Sequence, residues 1–269
     1  MKMRADAALA ARGLAPSREK AQALIMAGCV YVGEQRVDKP SQPVAAEDAL
    51  VVRGGDTPFV SRGGQKLERG LDVFGVDVAG LAAMDIGAAA GGFTDVLLRR
   101  GARHVYAIDV GYGQLDWTLR SDPRVIVMER TNARYITPDL FALKPAITVM
   151  DVSFISIRLI LPAAAKVMGD SGRFVTLIKP QFEAGRGQVG KHGVVREEAT
   201  HARVLADICA FARGMGWGVR ALTWSPVKGP RGNIEFLADI RHGAPESGAV
   251  EADIPSLVAR AHRALADGS

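Results

Sequence analysis

A mainly parallel α/β sheet domain behind a small N-terminal α+β unit is the architecture this 269-residue sequence predicts. Three observations carry it. From residue 62 onward, strand-like apolar runs alternate with helical patterns. A glycine-rich turn follows the first strand of that series. Upstream, two helical stretches and three short strand-like runs are crowded into the first 55 residues, and a Gly54-Gly55-Asp56-Thr57-Pro58 segment closes them off. The expected divisions are 1–55, a linker at 56–61, a large domain at 62–243 and a tail at 244–269.

The N-terminal elements come first. Ala5–Arg12 has a helical pattern. Ser17 is placed to cap a second helix running to Ala27, with Ala21, Leu24, Ile25 and Gly28 at helical spacing. Val30–Val32 and Arg36-Val37 flank Gly33-Glu34-Gln35 as strands of a hairpin would, and Leu50–Val52 is a further strand. The stretch SREKAQALIMAGCVYVGEQRVDKPSQPV resembles the small RNA-binding αL domain found in a small-subunit ribosomal protein, some tRNA synthetases and pseudouridine synthases. That resemblance implies a short helix pair presenting cations to the phosphates of structured RNA, reading shape more than sequence. Arg4, Arg12, Arg18, Lys20, Arg36 and Lys39 are then the candidate RNA contacts.

Composition agrees with such a partner and excludes others. The formal net charge is +5, which favours an RNA partner without specifying one. No apolar run approaches the roughly 20 residues needed to span a bilayer, and MKMRADAALAARG lacks the apolar core of a secretion signal. A cytoplasmic monomer that does not enter membranes is the expectation. Two distant cysteines, Cys29 and Cys209, imply no disulfide framework, and the five histidines show no metal-ligand spacing, so no metal is expected.

In the large domain the expected strands are Ala83–Ile86, His104–Asp109, Val125–Met128, Ile147–Asp151, Arg173–Lys179, Gly218–Trp224 and Ile234–Ile240. Helical patterns lie at Thr94–Arg100, Ile157–Met168 and Glu197–Met215, and Ile254–Ala266 forms a helix within the tail. The first strand runs into Asp85-Ile86-Gly87-Ala88-Ala89-Ala90-Gly91-Gly92-Phe93, which opens a helix. Glycines at such a junction let a ligand approach the backbone, and the helix N-terminus favours negative charge. The second strand ends in Asp109, where a carboxylate can hold a ribose diol. A dinucleotide site would need GxGxxG, and the sequence has G-A-A-A-G-G. The D-x-G-x-x-x-G-G-F pattern fits S-adenosyl-L-methionine instead. Asp85, Gly87, Gly91, Gly92, Phe93, Asp109 and Asn132 are the candidate contacts. Asn132 can meet an adenine edge or serve as an ordinary turn residue, and Phe93 is better suited to packing under the loop. The segment Gly185–His192, G-R-G-Q-V-G-K-H, ends in His where a nucleotide-binding P-loop needs Ser or Thr, and reads as a basic loop over the active site.

Polar residues also stand at strand ends and at a helix start without a structural reason. Asp151, Lys179 and Glu235 are of the first kind, and Lys66 opens a helix bearing Leu67, Leu71 and Phe74. With the blocks SRGGQKLERGL, DIGAAAGGFTDVLL, DVSFISI, LIKPQFEAG and GNIEFL, they complete a second resemblance. From Phe59 to Ile240 the chain resembles the FtsJ-type ribose methyltransferases, with their Lys-Asp-Lys-Glu tetrad at Lys66, Asp151, Lys179 and Glu235. The whole chain resembles the TlyA (hemolysin A) family, whose members methylate ribosomal RNA at cytidine 2′-hydroxyls. The resemblance implies a Rossmann-like methyltransferase sheet, S-adenosyl-L-methionine as cofactor, and ribosomal RNA or ribosomal subunits as partner. Lys179 is the expected general base, Asp151 its orienting group, and Lys66 and Glu235 hold the ribose and the network. An RNA-binding or ribosome-assembly protein with a degenerate enzyme domain is the alternative, and the hemolysin name adds a lytic toxin, which the lack of an apolar span disfavours.

Two departures from the family pattern stand out. Ala88-Ala89-Ala90 replaces Ser or Thr that could bond the donor carboxylate, a loss of roughly 1.5–3 kcal/mol. Thr57-Pro58-Phe59-Val60 stands where relatives carry an Arg- and Trp-containing tetrapeptide, so coupling of donor to linker is not transferred to this chain.

Overall fold

The computed structural model describes residues 2–26, 28–33, 35–52, 57–190, 192–243 and 248–266. Ala27 at the expected end of the second helix, Glu34 in the hairpin turn, Gly54-Gly55, Asp56 at the head of the linker, Lys191 of the basic loop and parts of the tail lie outside the described residues. The chain divides into two compact units, Met1–Arg62 and Gly63–Ser269.

The first unit runs β1 (Lys2–Arg4), α1 (Ala5–Ala11), α2 (Arg18–Met26), β2 (Val30–Val32), β3 (Gln35–Arg36), β4 (Pro43–Ala45) and β5 (Leu50–Val52). β2 pairs antiparallel with β3 and β5, and β1 pairs antiparallel with β4. The β1–β4 pair was not expected. Its strands read KMR and PVA, too short to show an alternating pattern. Leu9, Ala21, Ile25, Val30, Val37 and Val44 form the core. Ser17 caps α2 as expected, its Oγ accepting from the Lys20 N–H at 3.2 Å.

One buried charge organises this unit. Asp6 is fully buried. Its carboxylate accepts from Arg4 Nε and Nη2 at 3.0 and 2.9 Å, Arg18 Nε at 3.1 Å and Gln22 Nε2 at 2.9 Å. The Arg4 guanidinium above all holds this carboxyl well below the usual range, against the cost of burial.

The second unit contains α3 (Gly63–Val73), β6 (Ala82–Ile86), α4 (Gly92–Arg99), β7 (His104–Ile108), α5 (Trp117–Arg120), β8 (Val125–Met128), β9 (Ile147–Met150), α6 (Leu161–Met168), β10 (Arg173–Ile178), α7 (Pro180–Glu183), α8 (Glu198–Gly214), β11 (Trp217–Trp224), β12 (Phe236–His242) and α9 (Gly248–Ala266). The sheet order is β11-β12-β10-β9-β6-β7-β8. The five strands from β8 to β10 are parallel, while β12 is antiparallel to both its neighbours. β6, β7 and β9 are almost entirely buried and read as apolar runs, as strands covered on both faces must. From β6 the chain moves outward to β7 and β8, then crosses back to β9 on the other side. The carboxyl ends of β6 and β9 therefore form the switch point where such sheets bind ligands.

Several boundaries differ from the sequence reading. Ile234 and Glu235 precede β12 instead of lying within a strand. The Ile157–Met168 pattern splits into a 3-10 turn at Ile157–Leu159 and α6, which has Pro162 in its first turn. The end of the chain is no separate tail: α9 buries Ile254, Leu257, Val258, Ala261 and Leu265 in the same core as the sheet. Against α9, His201 of α8 lies with Nδ1 2.8 Å from His262 Nε2, and burial pushes the His201 pKa down to about 4.

Arg12 generates a test of the first unit. Its Nη1 donates to Asp48 O at 2.6 Å and its Nη2 to Ala45 O and Ala46 O at 2.8 and 3.1 Å. Arg12→Ala is expected to cost on the order of 1–3 kcal/mol, read as a lowered unfolding midpoint of the N-terminal unit. An unchanged midpoint with weakened RNA binding would return Arg12 to the contact set.

Candidate active site

The site is built where β6 and β9 end. Gly87, the first residue past β6, has φ +83°, and a Cβ there would lie 2.6 Å from the backbone oxygen of Asp151. Any side chain would be strained by that φ and would push the two strand ends apart. The Asp151 N–H donates to Ile86 O at 3.0 Å, and the Gly87 N–H to Ile108 O at 2.8 Å, so three adjacent strand ends are locked together. Beside them opens a cavity of about 380 Å³ lined by Gly87, Ala89, Asp109, Asn132, Asp151 and Ser153, among others.

Asp109 sits on this wall as expected. Its Oδ2 accepts from the Ala89 N–H at 2.9 Å and its Oδ1 from the Gly111 N–H at 2.7 Å. A carboxylate has about four acceptor positions, so capacity for two ligand hydroxyls is left. Asn132 also lines the cavity, and it serves as a turn residue. Its Oδ1 caps the following turn by accepting from the Arg134 N–H at 3.1 Å, while the residue stays on the wall.

Four of the expected contacts lie off the cavity wall. Gly91 and Gly92 are buried and line neither described cavity. At Gly91 a Cβ would collide with Leu119 and Leu115, so that glycine lets α5 pack close. Phe93 is buried in the core under the loop. Asp85 is not on the wall either. It is fully buried, with Oδ2 accepting from Thr94 Oγ1 at 2.6 Å and Oδ1 unpartnered. Burial pushes its pKa up to about 7, against the Thr94 bond.

The four polar residues of the second resemblance come together. Lys66 Nζ donates to Glu235 Oε2 at 2.6 Å and lies 3.8 Å from Asp151 Oδ2. Lys179 pairs with the other oxygen of Asp151 and donates to Ser153 Oγ at 2.9 Å. The order Glu235–Lys66–Asp151–Lys179 alternates in sign. Glu235 is 0% exposed, Lys66 8% and Lys179 7%. Burial disfavours the Asp151 carboxylate, but the ammonium groups of Lys66 and Lys179 outweigh it and hold its pKa below the usual value. Of the four, Asp151 lines the cavity.

Sequence reasoning missed Ser153 and the second cavity it borders. That space, about 860 Å³, is shared by Asn132, Ser153, Phe154, Phe182, Gly185 and Val189, among others. Phe154 is 91% exposed at φ +66°, with its ring 5.2 Å from that of Phe182. An exposed aromatic in a left-handed conformation is a local cost that packing does not explain. The only signal was position, two and three residues beyond Asp151.

In the first unit, Arg12 is withdrawn from the candidate RNA contacts because it is spent on backbone carbonyls. Arg4 and Arg18 are anchored on Asp6 with about half of each side chain exposed. Arg36 pairs with Asp38 at 2.7 Å, and Lys20 and Lys39 are exposed.

A parallel sheet closed by an antiparallel strand pair, with a glycine turn and an acidic strand end around a nucleoside-sized cavity, defines a methyltransferase-type α/β domain. Residues 59–241 match the FtsJ-like methyltransferase model and residues 3–50 the S4 domain model, and the chain belongs to the FtsJ-like methyltransferase family. It is 43% identical to the 16S/23S rRNA (cytidine-2′-O)-methyltransferase TlyA of Mycobacterium tuberculosis, over 98% of each chain. It is 42% identical to Hemolysin A of Brachyspira hyodysenteriae, over 88% of this chain and 98% of that one. A solved structure from Streptococcus thermophilus, described under the hemolysin name, superposes with a TM-score of 0.80 at 45% identity, covering 99% of this chain and 98% of that one.

Asp85 yields a pH test. The folded state keeps its proton up to about pH 7, whereas the unfolded chain releases it near 3.8. Stability contributed by this group is therefore present below the unfolded value and lost as pH rises to about 7. Asp85→Asn keeps an acceptor for Thr94 and cannot ionise. Its melting temperature relative to wild type is expected to climb between pH 4 and 7. A difference constant across that window would contradict the assignment.

Proposed function

We propose that the protein transfers the methyl group of S-adenosyl-L-methionine to the 2′-hydroxyl of a cytidine in ribosomal RNA. The observation that carries this reading is the alternating Glu235–Lys66–Asp151–Lys179 chain with Asp151 on the wall of the donor-sized cavity. The names of the relatives support the substrate. The residues present fit the donor: Asp109 offers acceptor capacity for its ribose hydroxyls, Gly87 lets it approach the backbone, and Asn132, on the same cavity wall, carries an amide that would suit its base. When bound, the donor supplies an electrophilic methyl group on a positively charged sulfur.

The chain's own residues do the rest. A ribose hydroxyl becomes a good nucleophile only as its proton leaves, and Lys179 accepts that proton as a neutral amine, after its ammonium has first released a proton to solvent. Asp151 and Ser153 fix the direction of the Lys179 nitrogen. Asp151 also attracts the Lys179 proton, which opposes its release. Lys66 limits this effect, since its ammonium shares the same carboxylate. Glu235 in turn holds Lys66. The second cavity, with the exposed Phe154 ring at its edge, takes the target base, for which an aromatic face is a stacking platform. In the first unit Arg4, Arg18, Lys20, Arg36 and Lys39 are the RNA contacts, with Asp6 presetting the two arginines.

The test is transfer of labelled methyl to each purified ribosomal subunit from a strain lacking the gene. Wild type is expected to label one or both subunits, and Lys179→Ala to lose about 100-fold or more in turnover. Wild-type turnover by Lys179→Ala at saturating substrate would remove the proton-acceptor role. No label on either subunit from a wild-type protein that binds donor would point to another RNA, and no donor binding at all to a degenerate domain.

A further inference from the structure

The basic segment after α7 is not used by the mechanism above, yet Gly185 and Val189 form part of the wall of the second cavity. A buried amide ties the end of this segment, and Thr200 Oγ1 donates to Gln188 Oε1 within it at 3.3 Å. Asn233 is 2% exposed. Its Oδ1 accepts from the Val195 N–H at 3.0 Å, and its Nδ2 donates to Gly193 O at 3.0 Å. Both halves of the amide are thus spent on the backbone of one turn. That turn is closed on itself by Gly190 N–H to Val194 O at 3.1 Å and Gly193 N–H to Gly190 O at 2.9 Å. Arg231 adds a second tie, with Nη1 donating to His192 O at 3.0 Å.

The other side of Asn233 faces the tetrad. Its backbone oxygen accepts from the Gly229 N–H at 2.8 Å, closing the turn 229–233. That turn presses on the Glu235 carboxylate: a Cβ on Gly229 would lie 2.0 Å from Glu235 Oε1. Two residues past Asn233, Glu235 O accepts from the Ser225 N–H at 2.8 Å. One residue therefore ties the segment continuing from the substrate-side wall to the turn that encloses the last acid of the tetrad. A buried amide bonded at both ends is costly to replace, because each lost partner leaves a backbone group unpaired.

We propose that Asn233 is a positioning residue that docks the 185–195 segment beside Glu235, so that the wall receiving the RNA nucleotide and the Lys66–Glu235 pair are set by one amide. The inference rests on the methyl-transfer reading for its catalytic consequence, but its structural half is measurable without activity. Gln, Ser or Ala cannot supply the same acceptor and donor at that reach. Asp keeps the acceptor for Val195 and loses the donor for Gly193.

The experiment takes the full-length protein as wild type, Asn233→Ala, Asn233→Asp and Arg231→Ala. It measures amide hydrogen exchange over residues 185–195, donor affinity, thermal unfolding, and KM and kcat on ribosomal subunits. In Asn233→Ala, exchange at Val195 should quicken at least ten-fold and KM for RNA should rise at least ten-fold, with donor affinity within two-fold of wild type. Asn233→Asp should fall between. Arg231→Ala, an exposed change, should raise KM about three-fold and carries the test if Asn233→Ala does not fold. Unchanged exchange at Val195, or a wild-type KM in Arg231→Ala when it alone is testable, would overturn the proposal. So would parallel loss of donor affinity and melting temperature with activity, which marks a merely structural role. A wild-type protein that labels no RNA would instead defeat the methyl-transfer reading, leaving the exchange result to decide the docking role.

Discussion

The carboxyl end of the sheet depends on one constraint: four charges taken out of water must alternate in sign. Desolvating a charge costs several kcal/mol unless a partner offsets it. Glu235, the most buried of the four, has Lys66; Lys66 has Asp151 as a second partner; Asp151 has Lys179. The arrangement is electrically neutral and brings one member, Asp151, to the cavity wall beside Ser153. A single Lys–Asp pair would not do the same work, because the aspartate would hold its lysine proton without competition.

Alternation of this kind needs elements from distant parts of the chain to arrive at the same place. Lys66 comes from α3, Asp151 from the end of β9, Lys179 from the end of β10 and Glu235 from the entry to β12. The glycine turn after β6 sets the spacing, since Gly87 lies against the Asp151 backbone with no room for a side chain. Backbone closeness thus serves two purposes at once. It brings Asp109 and the loop amides around one side of the cavity, and it fixes the height of Asp151 on the other.

Much of this was legible in the sequence. Buried parallel strands announce themselves as apolar runs, and the ends of β6, β7, β8, β9 and β10 fell within one residue of the expected positions. The tetrad was readable because Asp151 and Lys179 are charged residues at the ends of apolar strands, where nothing structural requires them. What could not be read is what depends on the third dimension. Gly91 and Phe93 match a ligand-binding motif, yet Gly91 lets Leu119 and Leu115 pack close and Phe93 is buried in the core, because one motif encodes both the loop and its support. Arg12 looks like any other cation until the carbonyls of Ala45, Ala46 and Asp48 converge on it. Ser153, Phe154 and Asn233 sit in familiar blocks, but their roles come from contacts with Lys179, with Phe182 and with Gly193 and Val195. The α9 helix looked like a tail because its apolar stripe becomes visible only when α8 and the sheet edge are there to receive it.

The central claim is that the four charges act as one unit, and a double-mutant cycle on Lys66→Met and Glu235→Gln tests it most directly. Donor affinity and the methyl-transfer rate would be measured for each single variant and for the double. Each single change leaves the buried set with a net charge, whereas the double restores its neutrality. The account predicts strong non-additivity, with the double variant losing no more rate than the worse single. Losses that add to within about 0.5 kcal/mol would show that Lys66 and Glu235 act independently, and would contradict it.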